Sequence, residues 1–142
     1  MDKFYGRFEH SLDEKGRITL PARYRNAFSE NVYVTQFQGR CLALWPPEAF
    51  FQKYLATIEV LLERSPADRN VARVMLAGVS QQELDRQGRV AIPRSLLDFA
   101  RLDGSVLMTG ALSHLEVWNP SDWERLVAPS EASYDILESA PA

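Results

Sequence analysis

The sequence predicts a mixed α+β fold, mainly β, in which two copies of one small module share a core or exchange strands, with helices linking and flanking them. Three observations predict it. The motif Leu12-Asp13-Glu14-Lys15-Gly16-Arg17-Ile18-Thr19-Leu20-Pro21 recurs 72 residues later as Leu84-Asp85-Arg86-Gln87-Gly88-Arg89-Val90-Ala91-Ile92-Pro93, with Leu, Asp, Gly, Arg and Pro retained. After each Asp-x-x-Gly turn, polar and apolar residues alternate with the period of a half-buried strand. Between the copies, apolar residues fall at helical spacing. A second block, Leu42-Ala43-Leu44-Trp45-Pro46-Pro47-Glu48-Ala49-Phe50, pairs with Leu115-Glu116-Val117-Trp118-Asn119-Pro120-Ser121-Asp122-Trp123 at an offset of 73, so one copy has a one-residue insertion between the two blocks.

The elements follow in order. An extended segment opens each copy, over 5–12 and 79–84. Asp at the first position and Gly at the fourth then suit a type I turn, with the Asp carboxylate bonding the backbone two residues on. Arg17-Ile18-Thr19-Leu20 and Arg89-Val90-Ala91-Ile92 are the strands that follow, ended by Pro21 and Pro93. These prolines open short helices over 22–28 and 94–100. A strand pair comes next in each copy: 31–35 with 42–45 around Gln38-Gly39, and 105–108 with 115–118 around Gly110. Residues 47–64 read as a helix with a stripe of Phe51, Leu55, Ile58 and Leu62. Ser65 caps a further helix begun by Pro66. That helix runs through Val71 and Val74, while Met75-Leu76-Ala77 fits helix or strand equally. Asp122-Trp123 opens another short helix, and the acidic tail after Pro129 is expected to be loose or only locally helical. The resulting division is 5–47 for the first module, 48–75 for a helical linker, 76–120 for the second module and 121–142 for helix and tail.

Composition limits the function classes. With 142 residues the chain is one ordinary domain or two very small ones, and a module of about 45 residues has little core of its own. The chain is 25% charged and 46% hydrophobic, which are globular proportions. Sixteen Lys and Arg against 19 Asp and Glu give a net charge of -3, so a nucleic-acid surface must be a local patch. The charge is uneven: the first 120 residues net +1 and the remainder -4. One Cys excludes an internal disulfide, and with two His it cannot furnish a four-ligand structural zinc site. No apolar run approaches the ~20 residues of a membrane span, and the first seven residues lack the apolar core of a signal peptide. A soluble cytoplasmic protein is expected, with no cofactor, no metal and no small-molecule substrate.

The residues that invite a function cluster at the turns. Arg17 and Arg89 occupy equivalent places just after Gly16 and Gly88; Lys15 stands at one tip and Arg86 at the other, and Arg23 and Arg25 follow in the first copy. Arginine-bearing ribbons enter major grooves, where Arg reaches phosphates or bonds guanine. An equally simple reading makes Asp13–Arg17 and Asp85–Arg89 salt bridges that staple the turn. The two readings are compatible, since a held guanidinium is better aimed. His10, His114 and Cys41 read as packing or surface residues, and Trp45 and Trp118 as core. No phosphate-binding loop and no nucleophile–base pair stands out, which argues against an enzyme.

With these residues in view, the chain resembles the MraZ family of bacterial transcriptional regulators. The likeness rests on Phe4-Tyr5-Gly6-Arg7-Phe8-Glu9-His10-Ser11-Leu12 running into the first motif, on the second motif, and on Gly110-Ala111-Leu112-Ser113-His114-Leu115-Glu116-Val117-Trp118; it spans about residues 4–124. The resemblance implies two SpoVT/AbrB-like modules whose hairpins interlock into an intramolecular pseudo-twofold barrel. It also implies a homo-oligomeric ring, commonly an octamer, on double-stranded DNA carrying repeated boxes upstream of its own gene. Repression of a division and cell-wall gene cluster and association with the nucleoid would follow. The family's DNA-binding Asp-x-x-x-Arg motifs fall on Asp13 and Arg17 and on Asp85 and Arg89, with Lys15 as the tip cation of the first; Arg86 supplies a tip charge one position earlier in the second, where Gln87 stands. Arg23 joins this set as a nearby cation. The rival reading is an antitoxin-type AbrB-like protein-interaction module.

Overall fold

Backbone pairing in the computed structural model, which describes residues 3–29 and 31–139 (136–139 by backbone alone), ties the two copies together. Met1, Asp2 and residues 140–142 of the acidic tail lie outside the described residues. The strands are β1 (Arg7–Ser11), β2 (Arg17–Thr19), β3 (Asn31–Phe37), β4 (Cys41–Trp45), β5 (Ser80–Glu83), β6 (Arg89–Ala91), β7 (Ser105–Gly110) and β8 (Leu115–Trp118). All pair antiparallel, in a six-stranded sheet of order β1-β7-β8-β4-β3-β5 and a two-stranded ribbon of β2 and β6. The first strand of each copy pairs with a strand of the other: β1 with β7, and β5 with β3. Strand exchange, one of the two arrangements expected, is therefore present. So is the shared core: one cluster joins Ile18, Leu20, Val32, Leu42 and Leu44 of the first copy to Val90, Ile92, Val106, Leu115 and Val117 of the second. A module this short buries too little apolar surface alone, so the two fold as one.

The registers also locate the length difference. Tyr33 faces Trp45 in one hairpin and Leu107 faces Trp118 in the other, so Tyr33 corresponds to Leu107 at an offset of 74. The second copy has two more residues before its third strand (101–104 against 29–30) and one fewer between the paired positions of its hairpin, Leu107 and Trp118 against Tyr33 and Trp45. The net insertion seen in sequence is the sum of these two changes.

The helices are a 3₁₀ turn (Ala22–Tyr24) leading into α1 (Arg25–Phe28), then α2 (Pro47–Ala49), α3 (Leu55–Glu63), α4 (Pro66–Ala77), α5 (Arg94–Ala100) and α6 (Pro120–Leu126). Pro21 and Pro93 precede the first helical residues, with φ of -54° and -58°. Ser65 Oγ accepts from the Asp68 N–H at 3.1 Å, the expected cap of α4, and residues 75–77 are helical. Between α2 and α3 the chain makes a π-helical turn, Phe50–Tyr54. This turn rotates the expected stripe: Phe50, Tyr54 and Ile58 are buried, whereas Phe51 is 54% exposed. One wide turn displaces every residue before it around the axis, which periodicity alone does not reveal. The tail forms 3₁₀ turns over Ala128–Ser139, broken at Ser133.

Candidate nucleic-acid interface

Each Asp turn is closed by the same bonds. In the first, the Gly16 N–H donates to the Asp13 carbonyl at 3.1 Å and the Asp13 N–H to the Arg17 carbonyl at 3.0 Å. Asp13 Oδ1 accepts the N–H groups of Lys15 and Arg17, both at 2.9 Å, and Oδ2 accepts Arg17 Nε at 2.6 Å. In the second, Gly88 and Asp85 repeat the backbone pair at 3.0 Å each. Asp85 Oδ1 accepts from the Gln87 and Arg89 N–H groups at 2.9 Å, and Oδ2 from Arg89 Nε at 2.7 Å. Gly16 and Gly88 adopt φ of +73° and +77°, the left-handed region that closes a type I turn back onto its strand. Both carboxyls sit below their ordinary pKa, chiefly because each accepts the backbone N–H of its arginine. The salt-bridge staple is therefore formed in both copies.

The ribbon turns these staples into one surface. Its register is Arg17↔Ala91, Ile18↔Val90 and Thr19↔Arg89. Alternation puts Ile18 and Val90 on the inner face, both fully buried. Arg17, Thr19, Arg89 and Ala91 share the outer face, with the two arginines as diagonal neighbours, about 7 Å apart at Cβ in such a pair. Each guanidinium spends Nε on its aspartate; among the described residues neither Nη pair bonds the protein. Lys15, Arg86 and Gln87 are exposed at the tips, and neither cation has an acidic partner among the described residues. Turn and strand are locked across copies as well. The Ile92 N–H donates to the Gly16 carbonyl at 3.0 Å, and the Leu20 N–H to the Gly88 carbonyl at 2.9 Å.

Two neighbouring arginines have other engagements. Arg23 lies over the rings of Tyr5, Phe8 and Tyr24 at 4.9, 5.0 and 4.7 Å, and its Nη2 donates to the Tyr5 carbonyl at 3.1 Å. It clasps the N-terminal segment rather than joining the ribbon face. Arg25, counted in sequence only as local charge, bonds the Leu20 carbonyl through Nε at 3.1 Å and lies directly across Gly88, where any Cβ would strike it. The equivalent residue of the second copy is Leu97, whose Cδ1 stands 3.1 Å from where a Cβ of Gly16 would be. Nothing local in the sequence marks these cross-copy contacts.

The remaining candidates take structural places. Trp45 and Trp118 are buried, with Nε1 donating to Thr35 Oγ1 and Glu116 Oε1, both at 3.0 Å. His114 is buried between the Phe37 and Trp45 rings, and His10 lies on β1. Cys41 is buried, which pushes its thiol pKa upward. Among the described residues, no group of three His, Cys, Asp or Glu side chains could hold a metal, and no helix is long and apolar enough to cross a membrane.

Fold and site together define a duplicated β module that presents two stapled arginines on a ribbon. Comparison with known proteins identifies its family. The family described as "MraZ protein, putative antitoxin-like" matches residues 4–74 and again 75–139. Among curated relatives, the transcriptional regulator MraZ of a Nocardioides species is 36% identical over 98% of this chain and 96% of its own. That of Roseiflexus castenholzii is 35% identical over 94% and 93%, and that of Cutibacterium acnes 35% over 92% and 92%. The chain belongs to the MraZ family, whose curated relatives named above are transcriptional regulators.

Proposed function

We propose that this protein is a sequence-specific DNA-binding regulator that lays its β2·β6 ribbon in the major groove, with Arg17 and Arg89 as the principal contacts. The observation that carries the reading is the outer ribbon face: two guanidiniums from two copies, each oriented by its own aspartate, each with its Nη groups unspent among the described residues. Asp13 and Asp85 act as positioning residues. Lys15 and Arg86 reach phosphates beside the groove, and Arg23 holds the N-terminal segment against the first copy. In this reading 5–47 and 76–120 form an intramolecular pseudo-twofold barrel of SpoVT/AbrB type, linked by 48–75. The registers support that symmetry, for β2·β6 centres on the equivalent pair Ile18↔Val90 and β4·β8 on the equivalent pair Ala43↔Glu116.

The chain assembles as a ring, an octamer in this proposal, which repeats the arginine face at fixed spacing. Weak contacts on repeated boxes then add through effective concentration. Its targets are boxes upstream of its own gene, and occupancy represses that promoter and the division and cell-wall cluster it serves. The protein works in the cytoplasm at the nucleoid. Polarisation of labelled upstream DNA against a shuffled duplex of equal composition, at two salt concentrations, tests the proposal. Tight binding to the native fragment alone is expected. Equal, salt-sensitive binding to both would reduce the protein to a nonspecific DNA binder, and binding to neither would refute the reading.

A further inference from the structure

Away from the ribbon, a cavity of about 580 Å³ lies between the sheet and α3 and α4, within the range of sites for small organic ligands. Its walls are largely aromatic and apolar, supplied by Phe37 and Trp45 of the sheet, Tyr54 of the π turn, Met75 of α4 and Phe99 of α5. The polar side chains of Lys53, Gln36, Gln38 and Thr57 line it too, and Lys53 is its only charged lining residue among the described residues. Lys53 and Gln38 enter the side-chain hydrogen bonds described only through their carbonyls, which accept from Thr57 Oγ1 and Cys41 Sγ. Among the described residues, the ammonium and both amides are thus unspent donors at an aromatic cavity.

The backbone there is also unusual. Lys53 and Tyr54 are the last two residues of the π-helical turn, a conformation that recurs at functional sites because it re-aims side chains that a regular helix would place elsewhere. Tyr54 is buried, its hydroxyl 3.4 Å from the Met75 carbonyl, and burial pushes its phenol up to about 12, so it stays neutral in the wall.

We infer that this cavity is a binding site for a small organic anion with an aromatic body, the rings packing on the partly exposed Phe37, Met75 and Phe99 and the acidic group meeting Lys53 and the glutamine amides. The charge of the rim selects an anion, and the lining excludes a ligand that is polar throughout. The site is separate from the DNA-binding reading and stands or falls without it.

The test uses anilinonaphthalene sulfonate, an aromatic anion, titrated into the intact folded protein, with energy transfer from tryptophan as readout. Saturable binding at one dye per chain is expected. Lys53→Glu should weaken it about threefold to fivefold, the effect of one exposed charge pair. Val71→Trp and Thr57→Trp place bulk at lining positions that are solvent-exposed, so the fold tolerates them, and each should abolish saturation. Absence of saturable binding, or binding indifferent to all three substitutions, would overturn the inference. So would an unfilled cavity combined with a loss of assembly mass in Val71→Trp, since a second copy would then be its occupant.

Discussion

Asp13 and Asp85 close their turns through the same five hydrogen bonds, yet the glycines they enclose carry different neighbours. Gly88 of the second copy lies under Arg25 of the first; Gly16 of the first lies under Leu97 of the second. The tips differ as well: Glu14-Lys15 in the first copy corresponds to Arg86-Gln87 in the second, and Thr19 corresponds to Ala91 on the outer face. The lesson is that Asp, Gly and Arg are fixed by the geometry of one turn, whereas the surrounding residues are free to differ as long as each turn is braced from the other copy. A polar brace in one direction and an apolar brace in the other serve the same end.

The largest effect should come from breaking what the copies share. Ile18→Ala and Val90→Ala remove the central inward pair of the ribbon, and Ile18→Ala should cost about 2–5 kcal/mol, with Val90→Ala somewhat less. Urea denaturation should show one transition shifted for the whole chain, not a separate transition for the damaged copy. Next come the glycines. Alanine at either is strained by the positive φ, by about 1–2 kcal/mol. Gly88→Ala should exceed Gly16→Ala by about 1 kcal/mol, the bond of Arg25 to the Leu20 carbonyl that it displaces. In an Arg25→Ala background that excess should vanish, as a double-mutant cycle would register.

Acid should act on both turns alike. Because the folded carboxyls of Asp13 and Asp85 lie below their ordinary value, the stability they add is complete above the unfolded pKa of 3.8 and is lost as pH falls through the folded values. Carboxyl carbon shifts followed by NMR should place both titrations below 3.8, and Asp13→Asn should remove only the first. The smallest effects belong to the tips. Lys15→Gln should lower the salt slope of DNA binding by about one unit, and Gln87→Lys should raise it by about as much, if each tip meets one phosphate.

Much of this was readable because it is local. Asp-x-x-Gly followed by Arg-Ile-Thr-Leu states a turn and a half-buried strand within a few residues, and a repeat states it twice. Ser65 and Pro66 state a helix start in the same way. What escaped is non-local or concealed by compensation. Arg25 looks like one more surface cation until the partner copy's Gly88 is placed beneath it. Two length changes of opposite sign read as a single insertion. Phe51 fits a helical stripe that the π turn rotates away, leaving Phe50 inside. The clasp of Arg23 over three rings likewise depends on β1 returning to the first helical turn, which spacing does not encode.

The central claim is that Arg17 and Arg89 form one DNA-reading face contributed by both copies. Its most direct test is polarisation of the upstream fragment with the wild type, Arg17→Ala, Arg89→Ala and the double variant, with circular dichroism confirming the fold. Each staple is a partly exposed ion pair that contributes little to stability, so the variants should remain folded. Each single change should weaken binding by about 1–3 kcal/mol, roughly fivefold to 150-fold, and the double variant further. Unchanged affinity in a folded double variant would contradict the claim.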